Sequence, residues 1–547
     1  MMKIIILLLG IYIFLVLPVY SQVENVPVSH PIYCFLTHIE ARGLVPHISL
    51  SSLPLQRKQI VDILIVIRKE SLKLSQSELQ ILSNFETEFE INARKNAVVI
   101  YSSSDSIQVL SSRFFSNDEK FIYHYKDSSN TVNVSPLGSF EGIGQFSGNT
   151  TRNVEFGNLG VRLFGTIDNE LGYYLQATNG AIIHGDRSLA LEDVHKLQQN
   201  VKFADLNSDF DFSESHVLFQ KNWFYASFGK ETRLIGNGIN QRLVVSDNAP
   251  PFTAISLGAK FLGFEYTFIH GTLISTVPLD STYVGVGADI PSKYFVIHKF
   301  SLKPEWGEIS FWEEIIYSKR EIDLSYLLPL CFLKSMEHSL HDRDNSIMGG
   351  DLTIRPIDGL QFKGSFLLDD IIFSDIGKHF WSNKTAWNIS LMYASKFNFD
   401  FGLEYARVEP YTFTHFDTLN NYTNDRMLIG TYLNPNSDET SFIMNWWWGN
   451  RYPITLRLSY QRHGENIYDS NGNLIKNVGG DPFQTRRPND PSTVIFLDGN
   501  RQNILLLQLE AGYEIIRGFN AHILYQLKSL DNNITHAVYF TFRFEDF

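Results

Sequence analysis

From about residue 137 to the C-terminus, apolar residues alternate with small or polar ones along stretch after stretch of the chain. In Leu262-Gly263-Phe264-Glu265-Tyr266-Thr267-Phe268 one alternate set is apolar and the other small or polar. Near the end, Val538, Phe540, Phe542 and Phe544 interleave with Tyr539, Thr541, Arg543 and Glu545. Successive side chains of a strand point to opposite faces, so this period describes a wall with an apolar side and a polar side. A closed sheet with lipid outside and a polar lumen inside satisfies it. The 14% of aromatic residues, beside only 19% charged ones and a mean hydropathy near zero, suits such a wall. A soluble β-sandwich or β-helix would instead carry turn signals at even intervals.

The links are uneven in a regular way. Short ones fall at Asp168-Asn169, Lys221-Asn222, Lys260-Phe261, Pro304-Gly307, Ile357-Gly359, Lys396-Asn398, Gly449-Asn450 and Arg517-Gly518. Between them lie links that are mostly longer and more polar, near Gly148-Glu155, Thr178-Ser215, Lys230-Ile255, Gly271-Lys293, Lys319-Ser346, Asp370-Ala386, Val408-Thr440, Arg462-Asn503 and Ser529-Asn533. Together they make about 17 connections and about 18 strands, with both chain ends on the short-turn side. The expected fold is an all-β transmembrane barrel of about 18 antiparallel strands with a small N-terminal α-helical bundle.

Ahead of the barrel the sequence changes character twice. Lys3 precedes an uncharged run from Ile4 to Leu17, Pro18 breaks it, and Val19-Tyr20-Ser21 suits a signal peptidase, so residues 1–21 read as a signal peptide cleaved after Ser21. The run is shorter than the roughly 20 apolar residues a spanning helix wants. No Cys follows the cleavage region, which disfavours a lipid anchor. Residues 22–96 then show three helical stripes. The first is Ile32, Phe35, Leu36 and Ile39, with Gly43 as its stop. The second is Ile60, Ile63, Leu64 and Ile67, with Pro54 in its first turn. The third, Leu79, Leu82, Phe85 and Phe89, follows the capping box Ser75-Gln76-Ser77-Glu78. Three short helices bury little alone, so they should lean on the barrel as a periplasmic bundle at its lower mouth. Residues 97–136 read as a connector, 137–547 as the barrel, and Phe547 as the terminal aromatic offered to the barrel-assembly machinery.

The net charge of -13 excludes the basic face that a nucleic-acid partner needs. Two cysteines, Cys34 and Cys331, are too few for a disulfide framework or a thiolate metal site, and both read as buried or half-buried. Gly-x-Ser-x-Gly, His-Glu-x-x-His and phosphate-loop motifs are missing, so no enzyme and no cofactor is expected. Asp469-Ser470-Asn471-Gly472-Asn473 begins like a calcium loop but lacks the Gly at its sixth position and the Glu at its twelfth, so no metal is expected. His341-Asp342-Arg343-Asp344 reads as charges paired with other charges.

Two local patterns resemble the capsule assembly Wzi family of outer-membrane proteins. The first is Gly229-Lys230-Glu231-Thr232-Arg233-Leu234-Ile235-Gly236-Asn237-Gly238, continuing through Leu243-Val244-Val245-Ser246-Asp247-Asn248-Ala249-Pro250-Pro251. The second is Tyr33-x-x-Leu36 running to Ala41-Arg42-Gly43-Leu44 and then Pro54-Leu55. Where many members have aromatic-Gly-Pro-Gly, this chain has Ile235-Gly236-Asn237-Gly238. The resemblance implies a non-enzymatic, lectin-like role in which capsular or exopolysaccharide associates with the cell surface. Outer-membrane lipid would surround a monomer. The other reading of the same barrel is a channel for small solutes or oligosaccharides.

Sugar binding uses aromatic faces and planar hydrogen-bonding side chains. The Lys230-Ile255 link offers Arg233, Asn237, Arg242, Asp247 and Asn248, with Gly236 and Gly238 allowing tight turns. Tyr411 and Phe413, with His415, Phe416 and Tyr422, cluster in one outer link, and Phe380 and Trp381 in another. The competing reading of the first group is a loop folded into the lumen, its arginines paired to wall carboxylates. Trp446-Trp447-Trp448, before a short turn, reads as a periplasmic-side aromatic girdle.

Overall fold

The computed structural model describes residues 22–89, 97–99, 112–192, 209–275 and 290–545. The expected signal peptide and Phe547 lie outside the described residues.

Eighteen antiparallel strands close into a barrel. The first six are β1 (Thr131–Ser147), β2 (Thr150–Ile167), β3 (Leu171–Gly185), β4 (Asp209–Lys221), β5 (Phe224–Glu231) and β6 (Phe252–Phe261). Next come β7 (Phe264–Leu273), β8 (Lys293–Leu302), β9 (Gly307–Ser318), β10 (Asn345–Ile357), β11 (Leu360–Asp370) and β12 (Lys384–Ala394). The last are β13 (Phe399–Val408), β14 (Ser437–Trp446), β15 (Ile454–Glu465), β16 (Asn500–Ile516), β17 (Phe519–Leu530) and β18 (Asn533–Phe544). Each pairs with the next, and β18 returns to β1 in register from His536↔Phe146 to Phe544↔Gly138.

The eight links on the side where β1 begins are all short, and most on the other side are long. Several positions differ from the sequence reading: β1 begins at Thr131, inside the 97–136 stretch read as a connector, β3 and β4 extend to Gly185 and from Asp209 into the Thr178-Ser215 link, and two turns change. The Gly148-Glu155 link is a two-residue turn, because Gly148 at φ 55 starts a tight hairpin and Thr150–Glu155 stay in β2. The turn placed at Lys260-Phe261 sits at Leu262-Gly263, where both φ angles are positive.

The alternation becomes two surfaces. On β13 Phe401 and Leu403 are exposed outward while Asp400 and Glu404 are buried inward; on β6 Ile255 is outward and Ala254 and Ser256 inward. Among the described residues no helix is long and apolar enough to cross a membrane.

Three helices, α1 (Ile32–Arg42), α2 (Arg57–Lys69) and α3 (Gln76–Glu88), form their own core of Ile32, Phe35, Leu36, Ile60, Leu64, Leu82 and Phe85. The Ser75 hydroxyl accepts from Glu78 N at 3.2 Å while the Glu78 carboxylate accepts from Ser75 N, which fixes the start of α3. Helix α2 starts at Arg57, not at Pro54, because Ser52 and Leu53 are held in a short strand pairing with Leu234 and Ile235. Trp447 departs from the girdle reading. It is buried in the helical core, its ring 6.3 Å from Phe35 and its Nε1 donating to Asp400 at 2.6 Å, whereas Trp446 and Trp448 stay exposed. Cys34 is exposed, Cys331 half-buried, and both are free.

The bundle is tied to the short-turn mouth. His38 Nδ1 meets Asp400 of β13 at 2.7 Å and His38 Nε2 meets Glu78 at 2.8 Å. Lys363 of β11 donates to Glu40 at 2.8 Å. Glu88 takes Arg451 and, at 3.4 Å, Arg517, both from short turns.

Candidate functional site

The link between β5 and β6 turns inward and runs along the lumen as a spine. At its lower end Leu234 and Ile235 pair with Leu53 and Ser52 of the bundle, and Gly236 N donates to Ser51 O at 2.9 Å. Gly236 and Gly238 sit at φ 100 and 154; a Cβ on Gly238 would lie 1.9 Å from Gln241 O, so the chain can fold back there only without a side chain. Three consecutive N–H groups, of Ile239, Asn240 and Gln241, donate to the Glu404 carboxylate at 2.6, 3.1 and 2.7 Å. Above them Leu243, Val244 and Val245 pack with Tyr422, Leu428, Ile429 and Leu433 of the β13–β14 link.

That spine uses most of the residues expected to touch sugar. Arg233 is buried, pairing with Glu231 at 3.1 Å and donating to Phe252 O at 3.0 Å. Asn237 is buried, its Nδ2 donating to Thr353 at 3.0 Å. Arg242 donates to Gly236 O at 2.6 Å and Leu50 O at 3.2 Å. Tyr411 and Phe413 are also fully buried, Phe413 against Tyr422 with centroids 5.3 Å apart. Asp247 is exposed and Asn248 half-buried at the long-loop end, Asn248 Nδ2 donating to Leu428 O at 2.8 Å. Phe380 and Trp381 are half-buried and anchored by the β15–β16 link, Trp381 N donating to Ser492 O at 3.0 Å and Arg486 lying 5.3 Å over the Trp381 ring.

Only Asn248 of those nine lines a cleft at the long-loop end. Its volume is about 400 Å³, and it opens between the β13–β14 and β15–β16 links. Tyr432, Tyr468 and Phe483 give it aromatic surface, and Arg426, Asn434, Asn466, Glu465 and Asp481 give it polar groups. Asn466 is buried, its Oδ1 accepting from Val478 N at 2.9 Å and from Gly480 N at 3.2 Å, with its amide beside the Tyr468 hydroxyl. Arg426 is exposed and has no ion pair or hydrogen bond among the described residues. Burial raises the Tyr468 hydroxyl above its ordinary range, so it remains protonated. Side-chain amides, aromatic faces and an exposed guanidinium form a set that recognises hydroxylated rings. In the sequence these residues are scattered over two long links, whose length was their only signal.

Elsewhere, Glu337, His338 and Asp342 bring ligand atoms within 4.8 Å of one another, but Lys334 Nζ lies 3.0 Å from Glu337 and 3.6 Å from Asp342, a cation already in place.

The family model described as capsule assembly protein Wzi matches residues 102–538. The chain belongs to this family. A solved structure of Wzi from Escherichia coli, described as an outer membrane protein involved in group 1 capsule assembly and as a carbohydrate-binding β-barrel, covers 95% of this chain and 99% of its own. The TM-score is 0.55 at 13% identity, so this likeness is one of fold. The outer membrane protein OprD from Pseudomonas aeruginosa (12% identity, 76% of this chain and 92% of that one, TM-score 0.41) resembles it more loosely. So does OccAB2 from Acinetobacter baumannii (10%, 75% and 97%, 0.43). No curated protein matches the chain. In this Wzi-family chain the Gly229–Pro251 pattern that carried the resemblance is the lumen spine, joining the helical bundle to the long-loop end.

Proposed function

We propose that this protein holds capsular or exopolysaccharide at the surface of an outer membrane, without catalysing a reaction. After loss of residues 1–21 the monomeric barrel sits in lipid with the bundle, residues 22–96, in the periplasm and the long loops outside. The observation that carries the reading is the cleft at the long-loop end, where the rings of Tyr432, Tyr468 and Phe483 stand beside the Asn466 amide and the exposed Arg426 guanidinium. Asp247, Asn248, Phe380 and Trp381 extend the contact surface. Arg233, Asn237, Arg242, Tyr411 and Phe413 hold the spine and loops beneath it. A spine along the lumen and three helices across the short-turn mouth favour polymer holding over a diffusion channel.

A deletion strain should make its polysaccharide normally but shed more of it into the medium. Arg426→Ala with Tyr468→Ala, present in the outer membrane in normal amount, should reproduce part of that shedding, since each hydrogen bond to a charged group contributes about 1.5–3 kcal/mol. Normal retention in the deletion strain rejects the role; normal retention in the double variant alone rejects the cleft.

A further inference from the structure

The outward face of β7–β9 is not built for lipid. Inward residues of these strands are identified by their lumen contacts: Lys299 donates to Ser51 at 2.8 Å, and Phe295, Ile297 and Trp312 pack with the spine. Their alternates therefore face outside, and toward the long-loop side these include His270, Tyr294, His298, Glu313 and Tyr317. All five are buried. His298 and Glu313 stand opposite each other in the β8–β9 ladder, and neither His298 nitrogen nor Glu313 Oε2 has a hydrogen-bond partner.

What covers them is the link between β9 and β10. Tyr326 and Leu333 of this link pack onto Tyr294, Val296, Ile315 and Tyr317. The Tyr266 hydroxyl donates to Pro329 O, and backbone N–H groups of Leu333 and Lys334 bond to Glu313. Both roots are pinned at the long-loop end, Arg320 to Asp344 at 2.6 Å and Tyr326 to Asp344 at 2.7 Å. From Leu324 to Leu333 no residue is charged. On the side away from the wall Leu324 and Leu330 are 77% and 78% exposed, with Leu328 and Phe332 at least half exposed beside them. Below the covered patch the same outward face of β9 continues as exposed Ile309 and Phe311.

We propose that the uncharged segment 324–333 of the β9–β10 link is a flap lying in the outer leaflet against the outside of β7–β9, with lipid acyl chains covering Leu324, Leu328, Leu330 and Phe332. A loop standing in water would expose this contiguous apolar patch, and a wall without the flap would turn His298 and Glu313 toward hydrocarbon; both are unfavourable. Seated in lipid, the flap removes both conflicts and restores the apolar belt over a stretch where the wall is polar. The proposal goes beyond polymer holding and rests only on the wall lying in a bilayer.

The test uses the full-length protein with Cys34→Ser and Cys331→Ser, carrying a nitroxide at Leu330→Cys or, as a second reporter, at Leu324→Cys, in phosphatidylcholine vesicles. Leu458→Cys on the outward face of β15 and Asn471→Cys in an exposed loop are the controls. Collision with oxygen relative to a nickel chelate should match Leu458→Cys and exceed Asn471→Cys several-fold at both flap positions. A ratio equal to that of Asn471→Cys places the flap in water and overturns the proposal. Shielding from both reagents, with spin broadening that grows with protein density, means a second copy covers the patch and overturns it too. If Leu458→Cys itself avoids oxygen, the membrane reading of the wall fails, independently of the flap.

Discussion

Where the helices meet the short-turn mouth, the contact runs through buried ion pairs; where the loops meet at the opposite mouth, the core between them is apolar, several ion pairs lie at the surface, and buried Lys293 and Lys384 bond to loop carbonyls instead of carboxylates. His38 between Glu78 and Asp400, Glu40 with Lys363, and Glu88 with Arg451 are all nearly inaccessible. Lys319 with Asp417 and Lys476 with Asp498 are open to water, while Val244, Tyr422, Leu428 and Leu433 form the core beneath. A buried pair fails when one partner is removed, because the other charge is stranded. An apolar contact fails when its volume changes. The two mouths should therefore respond to different perturbations.

The largest expected effect is at Glu88. Glu88→Ala takes one of two carboxylates from Arg451, which keeps Glu514 at 3.0 Å, and one from Arg517, which keeps Glu119, and it removes the carboxylate 2.8 Å from Nε2 of buried His30. Loss of about 3–5 kcal/mol is expected, read from urea unfolding of the purified protein, together with higher ion conductance in planar bilayers. An unchanged unfolding midpoint would remove buried charge as the basis of the short-turn closure.

His38 sharpens the same contrast through pH. Burial pulls its imidazole down, but the Asp400 and Glu78 carboxylates on its two nitrogens outweigh that and hold it at about 9. A folded-state value above the ordinary 6.5 means the contribution is fully present below about pH 6.5 and is lost as pH rises through about 9. Amide exchange in α1 and α3 should accelerate from pH 7 to 9.5 beyond its intrinsic base catalysis, and His38→Gln should flatten that extra dependence. Amides of the spine should show no such excess.

Most of the short-turn side was legible in the sequence because its signals are local. Helical stripes such as Ile60, Leu64 and Ile67, the Ser75–Glu78 box and the eight tight links each depend on neighbours in the chain. Trp447 was misassigned because being next to two girdle tryptophans says nothing about a helix that reaches it from some 400 residues away. For the spine, the competing reading of a loop folded into the lumen with its arginines paired to wall carboxylates holds for Arg233, whose partner Glu231 is two residues away, whereas Asn237 finds Thr353 only once the barrel closes. The cleft residues Arg426, Asn466 and Tyr468 carry no periodicity and are brought together by two loops, so only their links could be named.

At the long-loop mouth the matching perturbation is steric. A Cβ on Gly430 would lie 2.1 Å from Leu243 O and 2.6 Å from its carbonyl carbon, where two loop backbones touch. Gly430→Ala should therefore weaken the loop core by about 1–3 kcal/mol. The readout is faster protease cleavage within the 409–436 link than in the parent protein at one fixed pH. Cleavage at the parent rate would mean the loop core does not depend on this close contact.

The smallest effect is expected at Asp417. Its carboxylate receives Lys319 Nζ at 2.8 Å, but Lys319 is more than half exposed and water screens the pair. Asp417 Oδ1 also accepts from Leu419 N at 3.2 Å at the start of a short helical turn, a bond that an asparagine oxygen can equally accept. Asp417→Asn thus removes only the ionic part, about 0–1 kcal/mol, and even that should disappear in 1 M salt, where charges are screened within about 3 Å. Thermal unfolding at low and high salt measures it. A loss approaching that of Glu88→Ala, or one that survives high salt, would mean surface charge closes the long-loop mouth as well, and the distinction between the two ends would collapse.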